Sequence, residues 1–538
     1  MKRRNFIQLS AITGAIPFLG LKACATPSNE TNNNNDEEQA FELEEWTASQ
    51  LQEAMESRTY TSRQICELYL ARIAAKDQSD GGLNSVIEVN PDALQIADDL
   101  DRERGEGSVR GPLHGIPVMI KDNIDTGDKM MTTAGSMALA GSTAPDDAFI
   151  IKKLREAGAV LLGKTNLSEW ANFRSFRSSS GWSGRGRQTR NPYALDRNPC
   201  GSSAGSGAAV SGNMCALTIG TETNGSIVCP SSANGVVGIK PTVGLWSRDG
   251  IIPISETQDT AGPMGRTVAD AAALLGACVG LDEADRVTHE SEGNFQTDYT
   301  KFLDVDGLKG KRIGVLDGVI GYHEAVDEIM ERAFEAMEAQ GATLIKDIRV
   351  SENGAYGNSG LELLLYEFKD GLNKYLASRP DARVKSLADV IQFNKDNGDV
   401  EMPYFPQGIL ERAEMKGSLS DNEYKEHLKV VTEVSRNGID KALEENNLDA
   451  IIGVTGGPAW PIDVINGDHF GTGSSTPAAR SGYPNITVPA GYVHGLPVGM
   501  SIFSGKYQEP KLISIAYAFE QATMVRKAPK LLPTLNLI

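Results

Sequence analysis

Lys121, Ser202 and Ser226 have types and surroundings suited to one kind of covalent chemistry. Lys121 ends the apolar run of GIPVMIKDNID (115–125), Ser202 lies in CGSSAGSGAA (200–209), and Ser226 lies in TETNGSIVCP (221–230). No histidine stands in either serine segment. A serine hydroxyl attacks a carbonyl only if something removes its proton, and a lysine amine can do so once it is neutral. Burial lowers a lysine pKa towards that state. These parts can therefore build an acyl-transfer site without imidazole, one serine attacking while the other relays its proton to the lysine. The closely spaced N–H groups of Thr223, Asn224, Gly225 and Ser226 can then hold the oxyanion, with Gly225 permitting a backbone shape few residues adopt.

Such a site needs a scaffold, and the sequence offers one. Val118, Met119 and Ile120 predict a buried strand over 117–120 that delivers Lys121 at its end. Residues 200–211 mix Gly and Ser with Ala and Val and lead into MCALTIG (214–220), a packed turn and small-residue helix rather than a flexible linker. Further strands are predicted over 159–162, 215–219, 312–316, 450–454 and 485–489. Helices are predicted over 323–340 and 511–523, and Thr47 with Gln50 and Thr61 with Gln64 form capping boxes that open two early helices. The alternation of helix and strand predicts an α/β layered fold.

The segments around the three residues resemble the amidase signature family, serine hydrolases that act on amides through a Ser-Ser-Lys triad. KLREAGAVLLGKTNLSEWA (153–171), QDTAGPMGRTVADAA (258–272) and GYPNITVPAGYVHGLPVGM (482–500) also read like the family, in its order. The resemblance covers 41–538. It implies a single large domain with a central twisted mixed β-sheet covered by helices. By position it implies Ser226 as nucleophile, Ser202 as bridging serine in a cis peptide, Lys121 as base, and an oxyanion hole from the backbone of Thr223, Asn224, Gly225 and Ser226. It implies no cofactor and no metal. Segments 366–380, 384–397 and 402–413 resemble the substrate side of the family's peptide amidases, which remove the C-terminal amide of peptides; the stretch 350–445 is expected to be mostly helical and to line the entrance. Asn224 stands where many members have glycine and Val228 where many have arginine, while Cys200 and Ala204 also replace glycines.

GAVLLGKT (158–165) fits the phosphate-loop pattern. The four middle residues read as a buried strand, and DAFIIKKLREAG (147–158) before them reads as a helix. The order is the reverse of what phosphate binding requires, so nucleotide binding is rejected. Asp122 and Asn123 are read as the turn after the strand, with orientation of the site by Asp122 as the alternative, and His114 as a structural hydrogen-bonding residue.

The beginning of the chain is expected to direct export. Arg3 and Arg4 precede a short, interrupted apolar stretch, like a twin-arginine signal over 1–24. Leu21-Lys22-Ala23-Cys24 resembles a lipobox, leaving Cys24 as either a lipidated first residue or an ordinary residue near a cleavage site. The Asn-rich stretch 25–40 reads as a disordered polar tether. A periplasmic enzyme, or one anchored to the envelope through Cys24, is the expectation. The formal charge of −19 over 538 residues argues against nucleic acid as a partner. The other cysteines are Cys66, Cys200, Cys215, Cys229 and Cys278, an odd number without a paired framework, and are expected to be mostly free thiols. The six histidines lack metal-ligand spacing.

The reading that accounts for these features is an exported hydrolase of carboxamides, with peptide C-terminal amides as substrate. Amidases for other aliphatic or aryl amides, and a lipoprotein that binds amide ligands without turnover, are the alternatives. A tRNA-dependent transamidase subunit is disfavoured by the leader.

Overall fold

The apolar runs of the sequence assemble into one eleven-stranded mixed sheet, seen in a computed structural model that describes residues 41–537 apart from 319 and 353. In chain order the strands are β1 (Val86–Val89), β2 (Pro117–Lys121), β3 (Val160–Thr165), β4 (Trp182–Ser183), β5 (Arg187–Gln188), β6 (Leu217–Glu222), β7 (Val237–Lys240) and β8 (Thr260–Gly265). They continue with β9 (Arg312–Leu316), β10 (Thr343–Ile348), β11 (Ala450–Val454), β12 (Asn485–Val493) and β13 (Leu496–Phe503). The main sheet runs β1-β3-β2-β6-β8-β7-β12-β13-β11-β9-β10, while β4 and β5 pair separately. β3, β2 and β6 are parallel neighbours, as are β11, β9 and β10; the remaining pairs are antiparallel. This is the α/β architecture the alternation predicted.

Every residue of β2, β3 and β6 is buried, as expected of strands covered on both faces. In the parallel register Val118 faces Leu217 and Ile120 faces Ile219. The carboxyl ends of β2 and β6 therefore lie side by side, the place where open α/β sheets bind ligands. Lys121 ends one strand and Glu222 the other.

Two short helices carry the serine segments. Helix Ala204–Ser211 follows Ser202, and helix Val228–Ala233 follows Ser226. The first consists of small residues because it packs against backbone: a Cβ on Gly205 would stand 2.3 Å from the Asn166 carbonyl oxygen. Both predicted capping boxes are present, opening helices Ala48–Glu56 and Ser62–Arg72. An N-cap of this kind contributes about 1 kcal/mol.

Strands β9 and β11 coincide with the predicted runs, and helices Glu324–Ala339 and Glu509–Thr523 fall on the predicted periodic segments. Region 350–445 is mostly helical, built from Ser359–Ala377, Leu387–Asp396, Gly398–Glu401, Gly408–Glu414 and Asn422–Glu445. Leu365, Phe368, Leu372 and Leu387 close a second core with Trp170, Phe173 and Ile254. That core ties the helical region to the loops beyond the sheet. The expected export signal, lipobox and tether at 1–40 lie outside the described residues.

In the phosphate-loop look-alike, helix Phe149–Glu156 comes first and Lys164 then lies within β3. The Lys164 Nζ donates to the Ile124 carbonyl and to Thr132 Oγ1, both at 2.7 Å. That lysine is a structural brace.

Candidate active site

Lys121 reaches the end of β2 fully buried. Its Nζ lies 2.7 Å from Ser202 Oγ, 2.8 Å from Thr221 Oγ1 and 3.3 Å from the Thr221 carbonyl oxygen. Burial pushes its pKa down from 10.5 to about 7; Asp259 and Glu222 pull the other way but do not cancel the desolvation. At neutral pH a large fraction of the amine is therefore uncharged. A neutral amine has two N–H bonds and one lone pair. Thr221 offers acceptors for both N–H groups, which leaves the lone pair for the Ser202 hydroxyl.

Ser202 is fully buried, and its peptide bond to Gly201 is cis. Its carbonyl accepts from Ser168 N–H at 3.0 Å. The adjoining Ser203 N–H donates to the Ser226 carbonyl at 3.2 Å, so the backbones of the two serine segments touch. Ser226 itself is half-buried, in keeping with a group that must meet a substrate. The three residues spread through the sequence thus converge where β2 and β6 end.

The loop that carries Ser226 is organised by Glu222, which sequence reasoning missed. Its buried carboxylate accepts from Gly225 N–H at 2.8 Å through Oε1, and from Ile227 N–H at 2.8 Å and Val228 N–H at 3.0 Å through Oε2. Gly225 adopts φ +85°, a backbone conformation open to glycine, and a Cβ there would meet Ser475 Oγ at 3.0 Å. Of the four N–H groups expected to form an oxyanion hole, that of Gly225 is bonded to Glu222. Those of Thr223, Asn224 and Ser226 make no hydrogen bond among the described residues. Thr221, the acceptor for Lys121, was missed as well. The signal for both was the polar end of an otherwise apolar strand, Thr221-Glu222 in β6.

Glu222→Ala strips three buried N–H groups of their acceptor, each worth about 1–3 kcal/mol when left unpaired. We expect a kcat lower by about 10²-fold and a lower melting temperature, measured on any amide the protein turns over and by thermal denaturation.

Asp122 and Asn123 form the turn after β2. The Asp122 carboxylate accepts from Thr133 Oγ1, from Gly135 N–H at 3.3 Å and from Arg185 at 3.4 Å. Asn123 Nδ2 donates to Thr221 Oγ1 at 3.0 Å, buttressing the lysine's acceptor. His114 is structural: Nε2 bonds the Leu100 carbonyl at 3.0 Å and Nδ1 accepts from Arg110 N–H at 3.4 Å.

A cavity of about 580 Å³ opens beside the site. Asn123, Thr221, Thr223 and Asp259 form its wall on the triad's side, and Glu367 and Tyr375 of helix Ser359–Ala377 face them. Ser202 and Ser226 lie outside that wall. The helical region therefore borders a space next to the site. Burial raises the Glu367 carboxyl to about 7 although Ser255, Tyr424 and Thr257 hydroxyls donate to it.

The cysteines are mostly free, as expected, with one exception. Cys66, Cys215 and Cys278 are free and buried, but Cys200 and Cys229 form a disulfide, Cα to Cα 6.0 Å. Their separation of 29 residues carries no spacing signal. The fold brings them together by setting the two serine segments side by side. Among the described residues, Glu362, Glu423 and His427 could gather around an ion. Lys416 already stands 2.5 Å from Glu362 and 3.4 Å from Glu423, and Arg412 also pairs with Glu362. Cations of the chain occupy that place.

The sequence pattern of the Amidase family matches residues 64–513. The chain belongs to the amidase signature family. The amidase is 44% identical to a probable amidase of Arabidopsis thaliana over 501 residues, covering 91% of this chain and 92% of that protein. Among solved structures it is similar to native peptide amidase from Stenotrophomonas maltophilia, with 48% identity, a TM-score of 0.88, and coverage of 91% of this chain and 100% of the other. The peptide amidase in complex with the competitive inhibitor chymostatin matches equally, with 48% identity, a TM-score of 0.88 and the same coverage. The mixed sheet and its helical covering are thus those of the family, and the chain is an amidase, a hydrolase of amide bonds.

Proposed function

We propose that this amidase removes the C-terminal amide of peptides, releasing ammonia through an acyl-enzyme on Ser226. The observation that carries the chemistry is the buried contact of Lys121 Nζ with Ser202 Oγ at 2.7 Å, beside the loop that presents Ser226. The substrate reading is supported by the likeness to peptide amidase, which extends over 91% of this chain and so includes the helical region.

The neutral Lys121 amine takes the Ser202 proton as Ser202 takes that of Ser226, and Ser226 Oγ bonds to the amide carbon. The two hydroxyls share no hydrogen bond among the described residues, so the relay closes when substrate brings Ser226 onto Ser202, as catalytic hydrogen bonds commonly tighten on binding. The oxyanion forms against the N–H groups of Thr223, Asn224 and Ser226. Return of the proton from Lys121 through Ser202 to the departing nitrogen releases ammonia and leaves the acyl group on Ser226. Water, deprotonated by the same relay, then frees the peptide acid.

Every proton in this scheme moves between Lys121, the two serines, substrate and water. Chelators should therefore leave turnover unchanged; EDTA inactivation reversed by added metal would contradict the scheme. Ammonia release from amidated dipeptides, their free acids, internal-amide peptides and simple aliphatic and aryl amides tests the substrate. Release from amidated peptides is the expected result, whereas release from simple amides alone moves the substrate class to those. Export, to the periplasm or to a lipid anchor at Cys24, is part of the proposal, and the Cys200–Cys229 bond suits an oxidising compartment.

A further inference from the structure

The Cys200–Cys229 bond ties together the two segments that carry the serines. Cys200 stands two residues before Ser202, and Cys229 three residues after Ser226. Both anchors are held by hydrogen bonds: Cys200 N–H donates to Asn198 Oδ1 at 2.8 Å, and Cys229 N–H donates to the Gly225 carbonyl, next to Ser226, at 2.8 Å. Trp460 and Ala233 pack over the bond, leaving the two residues 5% and 8% exposed. Trp460 is held in turn by Asp468, which accepts from its Nε1 at 3.2 Å and from Ser180 N–H at 2.9 Å. Beside this covalent link, hydrogen bonds join the segments: Ser203 N–H donates to the Ser226 carbonyl at 3.2 Å, the Ser203 hydroxyl donates to the Thr221 carbonyl at 3.0 Å and accepts from Thr221 N–H at 3.1 Å, and Asn234 Nδ2 donates to the Pro199 carbonyl at 2.8 Å. Of these only the first reaches Ser226, and none fixes either hydroxyl of the proposed relay.

We propose that the Cys200–Cys229 disulfide is a positioning element of the catalytic centre, holding Ser202 and Ser226 in register, and that a dithiol reductant slows acylation of Ser226 while the fold stands. The proposal rests on the reading of Ser226 as nucleophile and Ser202 as its relay. In the reduction the dithiol supplies two electrons and two protons: one S–S bond breaks, two S–H bonds form, and the dithiol becomes a disulfide. The relay demands sub-ångström placement of two hydroxyls, and displacement of about 1 Å can cost about 10²-fold in rate. Binding of the remainder of the substrate does not pass through this bond, so KM is unaffected. Among the described residues the other three cysteines are already free thiols, so the reductant has no bond to break there. Cys66 and Cys215 are buried, with thiols pushed up to about 12, and burial raises the Cys278 thiol too.

The test follows labelling of Ser226 by a fluorophosphonate, recording both rate constant and end-point, on three proteins: oxidised wild type, dithiothreitol-reduced wild type, and Cys200→Ser/Cys229→Ser. Alkylation counts the thiols, and thermal denaturation reports the fold. The expected result is full labelling in all three, with a rate constant about 10- to 100-fold lower when the bond is absent, and kcat falling in parallel while KM stays within about threefold. Reoxidation of reduced wild type should restore the rate, and the double variant should be indifferent to dithiothreitol. An unchanged rate constant in folded protein lacking the bond overturns the proposal. So does a lower end-point at an unchanged rate, or failure of both bond-free proteins to fold, since the bond would then serve stability alone. If oxidised wild type labels elsewhere than Ser226, the nucleophile assignment fails and takes the proposal with it; this outcome is distinct, because it appears before any reduction.

Discussion

Ser226→Ala is expected to lower kcat by about 10⁴-fold or more, the loss seen when the nucleophile of a serine hydrolase is removed. The melting temperature should stay within about 3 °C of wild type. Both parts follow from the placement of Ser226. Its side chain is half-buried in a loop whose geometry is set by the backbone N–H bonds of Gly225, Ile227 and Val228 to Glu222, none of which involves the serine hydroxyl. Removing the hydroxyl therefore takes away the attacking atom and little packing. A variant keeping a tenth of wild-type turnover would contradict the assignment, and one that unfolded would show that the loop depends on the hydroxyl. The measurement is kcat by ammonia release together with thermal denaturation of the same preparations.

Lys121→Ala is expected to lower kcat/KM by about 10³- to 10⁴-fold at pH 7, because the general base disappears and Ser202 and Thr221 lose their partner. The wild-type pH profile tests the same residue without mutation. Only the neutral amine can accept the Ser202 proton. With the Lys121 pKa brought down to about 7 by burial, kcat/KM should rise as pH increases through about 7 and level off above it. The sign would reverse if the ammonium form were the active one. The acidic neighbours Asp259 and Glu222 hold this pKa up against desolvation. Glu222→Gln, which removes one of these charges, should therefore move the rising limb to lower pH. A limb that stayed near 7 in both Glu222→Gln and Lys121→Ala would assign it to another group.

Much of this arrangement was legible in the sequence because it is carried by local patterns. The run Val118-Met119-Ile120 predicted a buried strand, and β2 buries all five of its residues, which is what supplies the desolvation of Lys121. The capping boxes at Thr47 and Thr61 formed because each needs only residues three apart. The false phosphate loop was identifiable because a helix precedes Lys164 and a strand contains it.

What escaped was set by tertiary proximity. Thr221 and Glu222 are ordinary strand-end residues in sequence; their roles appear only when the parallel register of β2 and β6 places Thr221 against Lys121, and when the chain folds back so that Glu222 caps its own loop. The Cys200–Cys229 pair was invisible for the same reason, since pairing depends on two loops meeting rather than on spacing. The turn at Asp122 and Asn123 forms where the sequence placed it, and its contact with Thr221 brings Asn123 within one hydrogen bond of the lysine's partner.

The account stands on an acyl-enzyme at Ser226. Wild type and Ser226→Ala would be mixed with a slowly deacylated amide, quenched in acid, and examined by intact mass and peptide mapping. The predicted result is a mass increase equal to the acyl group in wild type alone, located on the peptide that carries Ser226. An adduct on Ser202 or Ser203, or turnover by Ser226→Ala at the wild-type rate, would contradict it.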